Sequence, residues 1–84
     1  MKAKRLALTL ASGLEIRLFG AEVSREGRRL VAKRFLATIV AEWISGKPFA
    51  TLLIEDALFG YIEEIPLGIV EPRGIKFMEY LANH

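Results

Sequence analysis

Apolar and polar positions alternate at the start of the chain. Leu6, Leu8 and Leu10 recur on one side of Ser12-Gly13 and Leu14, Ile16 and Leu18 on the other, with Glu15 and Arg17 turned the opposite way. Period 2 on both sides of a Gly-containing pair predicts a β-hairpin closed by a two-residue turn. The second strand is expected to run on to about Val23, which places the hairpin at residues 5–23.

Farther along, the period changes. Ala32, Phe35, Leu36, Ile39, Val40, Trp43 and Ile44 fall on one arc of a helical wheel, with Arg34, Thr38, Glu42 and Ser45 opposite, so residues 29–45 read as an amphipathic helix. Gly46 stands where a left-handed helix cap belongs and Pro48 where a first helical residue belongs. Phe49, Ala50, Leu53, Ile54, Ala57, Leu58, Tyr61, Ile62 and Ile65 then continue the i, i+3, i+4, i+7 spacing, giving a second helix over 48–65. Trp43 and Tyr61 are expected in the core, with an interface as the lesser alternative.

Two segments read both ways. Residues 25–33 either open the first helix behind a Ser24 cap or turn at Arg25-Glu26-Gly27 into a strand; three cations at a helix N-terminus oppose the macrodipole. After Pro66, Leu67–Val70 is strand-like and Glu71-Pro72-Arg73-Gly74 has turn chemistry. Residues 75–82 are then taken as a returning strand, with a short helix through Ile75, Met78 and Ala82 as the alternative. The expected fold is α+β in the order ββααββ: an antiparallel sheet from two β-hairpins, with a helical hairpin packed on one face.

Composition bears mainly on partners. A single 84-residue domain buries roughly 60% of the surface its unfolded chain exposes, and 52% hydrophobic residues is more than such a domain readily hides. A homo-oligomer or a protein partner is therefore expected. Charge is unevenly placed: residues 1–34 hold nine basic and three acidic side chains (+6), residues 35–84 three and seven (−4), summing to +2. One asparagine, Asn83, no glutamine and abundant Lys, Arg and Glu suggest a thermophilic source. The opening Met1–Arg5 and Leu6–Ala11 resemble the basic and apolar regions of a signal peptide, but the alternation favours a strand. No run approaches the ~18 apolar residues of a membrane span, and a cytoplasmic location is expected.

Candidate chemistry is sparse. There is no cysteine, hence no disulfide or thiolate metal site, and the sole histidine is His84, the last residue. Glu55-Asp56 and Glu63-Glu64 recur eight residues apart, as on a solvated acidic helix face. No phosphate-cradling loop or metal-ligand cluster occurs, so no enzyme, cofactor, metal or small-molecule substrate is inferred. Two helices followed by a hairpin resemble a winged helix-turn-helix, yet the second helix has no Lys or Arg between Pro48 and Ile65 and carries four carboxylates, which excludes groove reading by that helix. Nucleic-acid contact through Arg25, Arg28, Arg29, Lys33 and Arg34 is the alternative function. The stretch Leu67–Ile75 resembles the opening strand of bacterial microcompartment shell proteins, but it lies at the opposite end of the chain from that strand and the order of elements does not match. The reading is a small non-enzymatic module for assembly or protein interaction. Its partner-binding residues are Leu52 and Phe59, two apolar groups at i, i+7 on the outer face of the second helix, beside Glu55 and Asp56.

Overall fold

The computed structural model describes residues 5–84 apart from Ala57, Phe59 and Tyr61. Among the described residues seven strands precede one helix: β1 (Arg5–Thr9), β2 (Glu15–Phe19), β3 (Glu22–Glu26), β4 (Arg29–Arg34), β5 (Ala37–Ile44), β6 (Lys47–Glu55), β7 (Ile62–Ile69) and α1 (Pro72–Asn83). β1 and β2 form a two-stranded sheet, and β3 to β7 form a five-stranded meander in chain order. All pairs are antiparallel.

The order ββααββ and the helical hairpin are therefore corrected. Residues 29–45 are the strands β4 and β5, residues 48–65 span β6 and the start of β7, and the C-terminal segment is a helix instead of a returning strand. The helical stripe dissolves into two sheet faces. Register aligns Val23, Ala32, Ile39, Leu52 and Ile65 on one face, whereas Ser24, Val31, Val40, Thr51 and Pro66 form the parallel row on the other. Because both faces carry apolar residues, i, i+3, i+4 coincidences arise without a helix, and apolar runs of this length do not separate the two periods.

Turn chemistry decides the same region. Ser45 (φ 51°) and Gly46 (φ 77°) both adopt positive φ, the signature of a type I′ hairpin whose twist matches its flanking strands. Ser45-Gly46 is thus the two-residue link between β5 and β6, with Ile44 opposite Lys47 and Trp43 opposite Pro48. The first hairpin pairs Leu6 with Leu18 and Leu8 with Ile16. Its loop is one residue longer than Ser12-Gly13, since the Leu10 N–H donates to the Leu14 carbonyl (2.8 Å) and the Gly13 N–H to the Leu10 carbonyl (2.9 Å). β2 stops at Phe19, and Glu22 onward belongs to the larger sheet.

The core lies between the first face of the meander, the β1–β2 hairpin and α1. Leu6, Leu8 and Leu10 of the hairpin meet Val23, Leu30, Ala32, Ile39, Ala41 and Ala50 of the sheet and Ile75, Met78 and Leu81 of the helix. Leu52, expected on an outer surface, is half-buried against this core: the helical phase that turned it outward belongs to a helix that does not form. α1 is stopped at its start by Pro72 at the first helical position and buries Gly74, Ile75, Met78 and Leu81, the i, i+1, i+4, i+7 side of a helix. A Cβ at Gly74 would stand 2.9 Å from Val70 Cγ1 and 3.1 Å from Leu8 Cδ1, so glycine lets the helix approach β1 this closely. The Glu71 N–H, donating to the Thr9 carbonyl at 2.9 Å, ties the helix start to the end of β1. Every buried residue among those described is apolar. No helix among the described residues is long and apolar enough to cross a membrane.

Candidate interaction surface

The five cations singled out in the sequence do not form one patch. Alternation along β4 sends Arg29 and Lys33 to the second sheet face and Arg34 to the first, at the far end from Arg28. Lys33 donates to Glu26 at 2.9 Å, an ion pair that spans the Ser24–Val31 row. This hydrogen bond, opposed by desolvation and reinforced by the charges of Lys33 and Arg29, holds the Glu26 carboxyl below its ordinary value of 4.5. Arg25 lies 3.6 Å from Glu79 of α1. Only Arg25 and Arg28 come together, and they do so beside Trp43.

Trp43 is not a core residue. It is 39% exposed, because it lies two residues before the Ser45-Gly46 turn, where β5 runs past the layer that covers its middle. Two adjoining cavities share it. One of about 300 Å³ is lined by Arg25, Gly27, Arg28, Trp43 and Glu79. The other, about 570 Å³, has an apolar floor of Trp43, Pro48, Ile69, Val70, Pro72 and Ile75, with Lys47, Lys76, Glu71 and Glu79 around it. Together they form a groove that has an aromatic plane at its centre and four cations against two carboxylates along its walls. Sequence reasoning missed this groove; the Ser-Gly pair just after Trp43 was the available signal.

The opposite end of the meander is apolar. The β4–β5 turn is Phe35-Leu36, with Arg34 opposite Ala37, and Phe35 is 86% exposed. Leu36 adopts φ 63°, a left-handed conformation that costs a non-glycine residue roughly 1–2 kcal/mol. Its carbonyl accepts the Glu55 N–H at 3.0 Å, which draws the turn beside the end of β6. Ile54 and Ile62 are exposed at this same end, and Leu58, in the β6–β7 connection, is 89% exposed. Two other exposed rings have partners within the chain: the Arg5 guanidinium lies 5.7 Å from the Phe19 ring centre, and Tyr80 stacks on His84 at 4.2 Å.

The acidic pairs border this apolar tip. Glu63 shares a cross-strand row with Ile54, Ala37 and Arg34, Glu64 is opposite Leu53, and Glu55 is opposite Ile62. Asp56 accepts the Leu58 N–H at 2.9 Å. Of the four residues expected to bind a partner, Glu55 and Asp56 are at the tip, Leu52 packs on the core, and Phe59 lies outside the described residues, as does Tyr61. His84, through Nδ1, is 2.9 Å from the Tyr80 carbonyl and closes the last turn of α1. Among the described residues no group of three His, Cys, Asp or Glu is placed to hold a metal ion. Comparison of the chain with protein families, with curated proteins and with solved structures finds no match.

Proposed function

We propose that this chain is a non-enzymatic module that self-associates through exposed apolar surface. The observation that carries the reading is the tip itself: Phe35, Ile54, Leu58 and Ile62 lie at one end of the sheet, Ile54 on its first face and Ile62 on its second, with Phe35 and Leu58 almost fully exposed. Exposed apolar groups scattered singly are ordinary, whereas a cluster bounded by charge marks an interaction site. The left-handed Leu36 supports the same reading, since backbone strain of this kind concentrates where a segment is held for function. Sedimentation velocity across the micromolar range tests it. Species heavier than the 9.4 kDa chain that grow with concentration are expected; a monodisperse monomer throughout overturns the reading.

One observation favours a second reading. Trp43 in one cavity with Arg25 and Arg28 has the composition of a stacking platform for single-stranded nucleic acid, where a base lies on the ring and cations hold the backbone. It predicts oligonucleotide binding that weakens steeply with salt and is lost in Arg25→Gln/Arg28→Gln. Binding that persists in that variant excludes this use of the groove.

A further inference from the structure

Resting on the self-association reading, we propose that assembly is head-to-tail: the apolar tip of one copy docks in the Trp43 groove of the next. The two surfaces lie at opposite ends of the same strand pair. Phe35 precedes β5 and Trp43 comes just before its end; eight residues at about 3.3 Å each separate them by roughly 26 Å. A rigid meander cannot fold its own tip into its own groove, so the contact is made between copies.

The surfaces match in polarity and in charge. The tip offers Phe35, Leu58 and Ile62, and the groove offers an apolar floor that includes Trp43 in a cavity of about 570 Å³, within the size range of clefts that enclose a ligand. Around the tip stand Glu55, Asp56 and Glu63 against Arg34, and one row inward Glu64 shares a cross-strand row with Lys33, which Glu26 engages. Around the groove stand Arg25, Arg28, Lys47 and Lys76 against Glu71 and Glu79, and Glu79 is already beside Arg25. An acidic collar on an apolar knob meets a basic collar on an apolar groove, an arrangement that speeds encounter and sets orientation. The edge strand β7 is a poorer route to assembly, because Pro66 lacks an N–H and the ladder is irregular opposite Ala50/Thr51. Since the two surfaces differ, the contact is heterologous and closes into a ring or extends as a filament.

Complementation of two broken copies tests the geometry. A tip variant, Phe35→Ser/Leu58→Ser, keeps its groove; a groove variant, Trp43→Ala, keeps its tip. Each alone is expected to be monomeric, with association weakened roughly thirtyfold or more, the loss typical of truncating a central aromatic anchor. Mixed in equal amounts, they are expected to form a dimer of twice 9.4 kDa and nothing larger, through the one intact tip and the one intact groove. Lys47→Glu/Lys76→Glu serves as a second groove variant if Trp43→Ala fails to fold, and must behave the same way. Trp43 is the only tryptophan, so its emission in the wild type should shift to shorter wavelength as concentration rises.

If the groove variants still dimerise and mixing restores nothing, the tips pair with each other: the head-to-tail arrangement is wrong while self-association stands. Association that survives the tip variant likewise overturns the arrangement. A wild type that stays monomeric overturns both. If a single-stranded oligonucleotide quenches Trp43 while groove variants leave assembly untouched, the groove serves nucleic acid and the proposal fails.

Discussion

Single side chains in this protein are constrained by what stands within a few ångströms of them. At Gly74 two effects oppose each other. Alanine is the better helix former by about 1 kcal/mol, but its Cβ would meet Val70 and Leu8, both of them buried core residues, and overpacking costs about 1–3 kcal/mol. Overpacking should win, so Gly74→Ala is expected to lower the melting temperature; a rise would show that Val70 gives way. Glu26 offers a test in pH. Its carboxyl is held below 4.5 by Lys33, so the folded state favours the ionised form. The resulting stability is fully present above pH 4.5 and is lost as pH falls through the depressed folded value. Denaturation of the wild type and Lys33→Met should therefore differ above pH 4.5 and converge below it; a constant gap across that range would mean that Lys33 acts by packing alone.

Among the elements, the β5–β6 hairpin is the longest continuous ladder, and its turn controls the Trp43 end. A type I′ turn asks for positive φ at both central residues, and Asn tolerates this far better than Ser. Ser45→Asn is expected to stabilise the chain by about 0.5–1 kcal/mol, measured by denaturant midpoint at unchanged slope. A loss would mean that Ser45 has a role its backbone angles do not explain. The first hairpin was legible because its turn and both alternations sit within a dozen residues. The second was not, although Ser45-Gly46 is as good a turn signal as Ser12-Gly13. There, Ala32, Ala41 and Ala50 have high helix propensity but stand in strands, buried in the core between the sheet, the hairpin and α1. α1 itself is short and was legible only as an alternative, with Pro72 and Gly74 imitating a turn.

For the whole molecule, the partition of charge along the chain becomes a partition in space, though not simply of first half against second. Lys47 and Lys76 come from the acidic half and join Arg25 and Arg28 at the groove, while Arg34 lies at the acidic tip. If these collars steer association, the association rate should fall as salt rises from 0.05 to about 0.5 M, where the Debye length contracts to a few ångströms. The dissociation rate, governed by Phe35 and Trp43 contacts, should change much less. A rate of association indifferent to salt would remove the collars from the mechanism.

By itself the sequence determined the local features: the first hairpin, a break at Gly46, the excess of apolar residues and the sparseness of catalytic groups. These depend on neighbours within a few positions and on composition. Whether residues 29–65 coil or extend, which of their apolar groups lie outside, and how Trp43 meets cations from β3, the β3–β4 turn, β6 and α1 were decided by tertiary structure. A strand is stabilised by ladders to residues far along the chain and by the layer packed on it. Where apolar residues occur at every phase, only those distant partners choose the period, and with it the surface the protein presents.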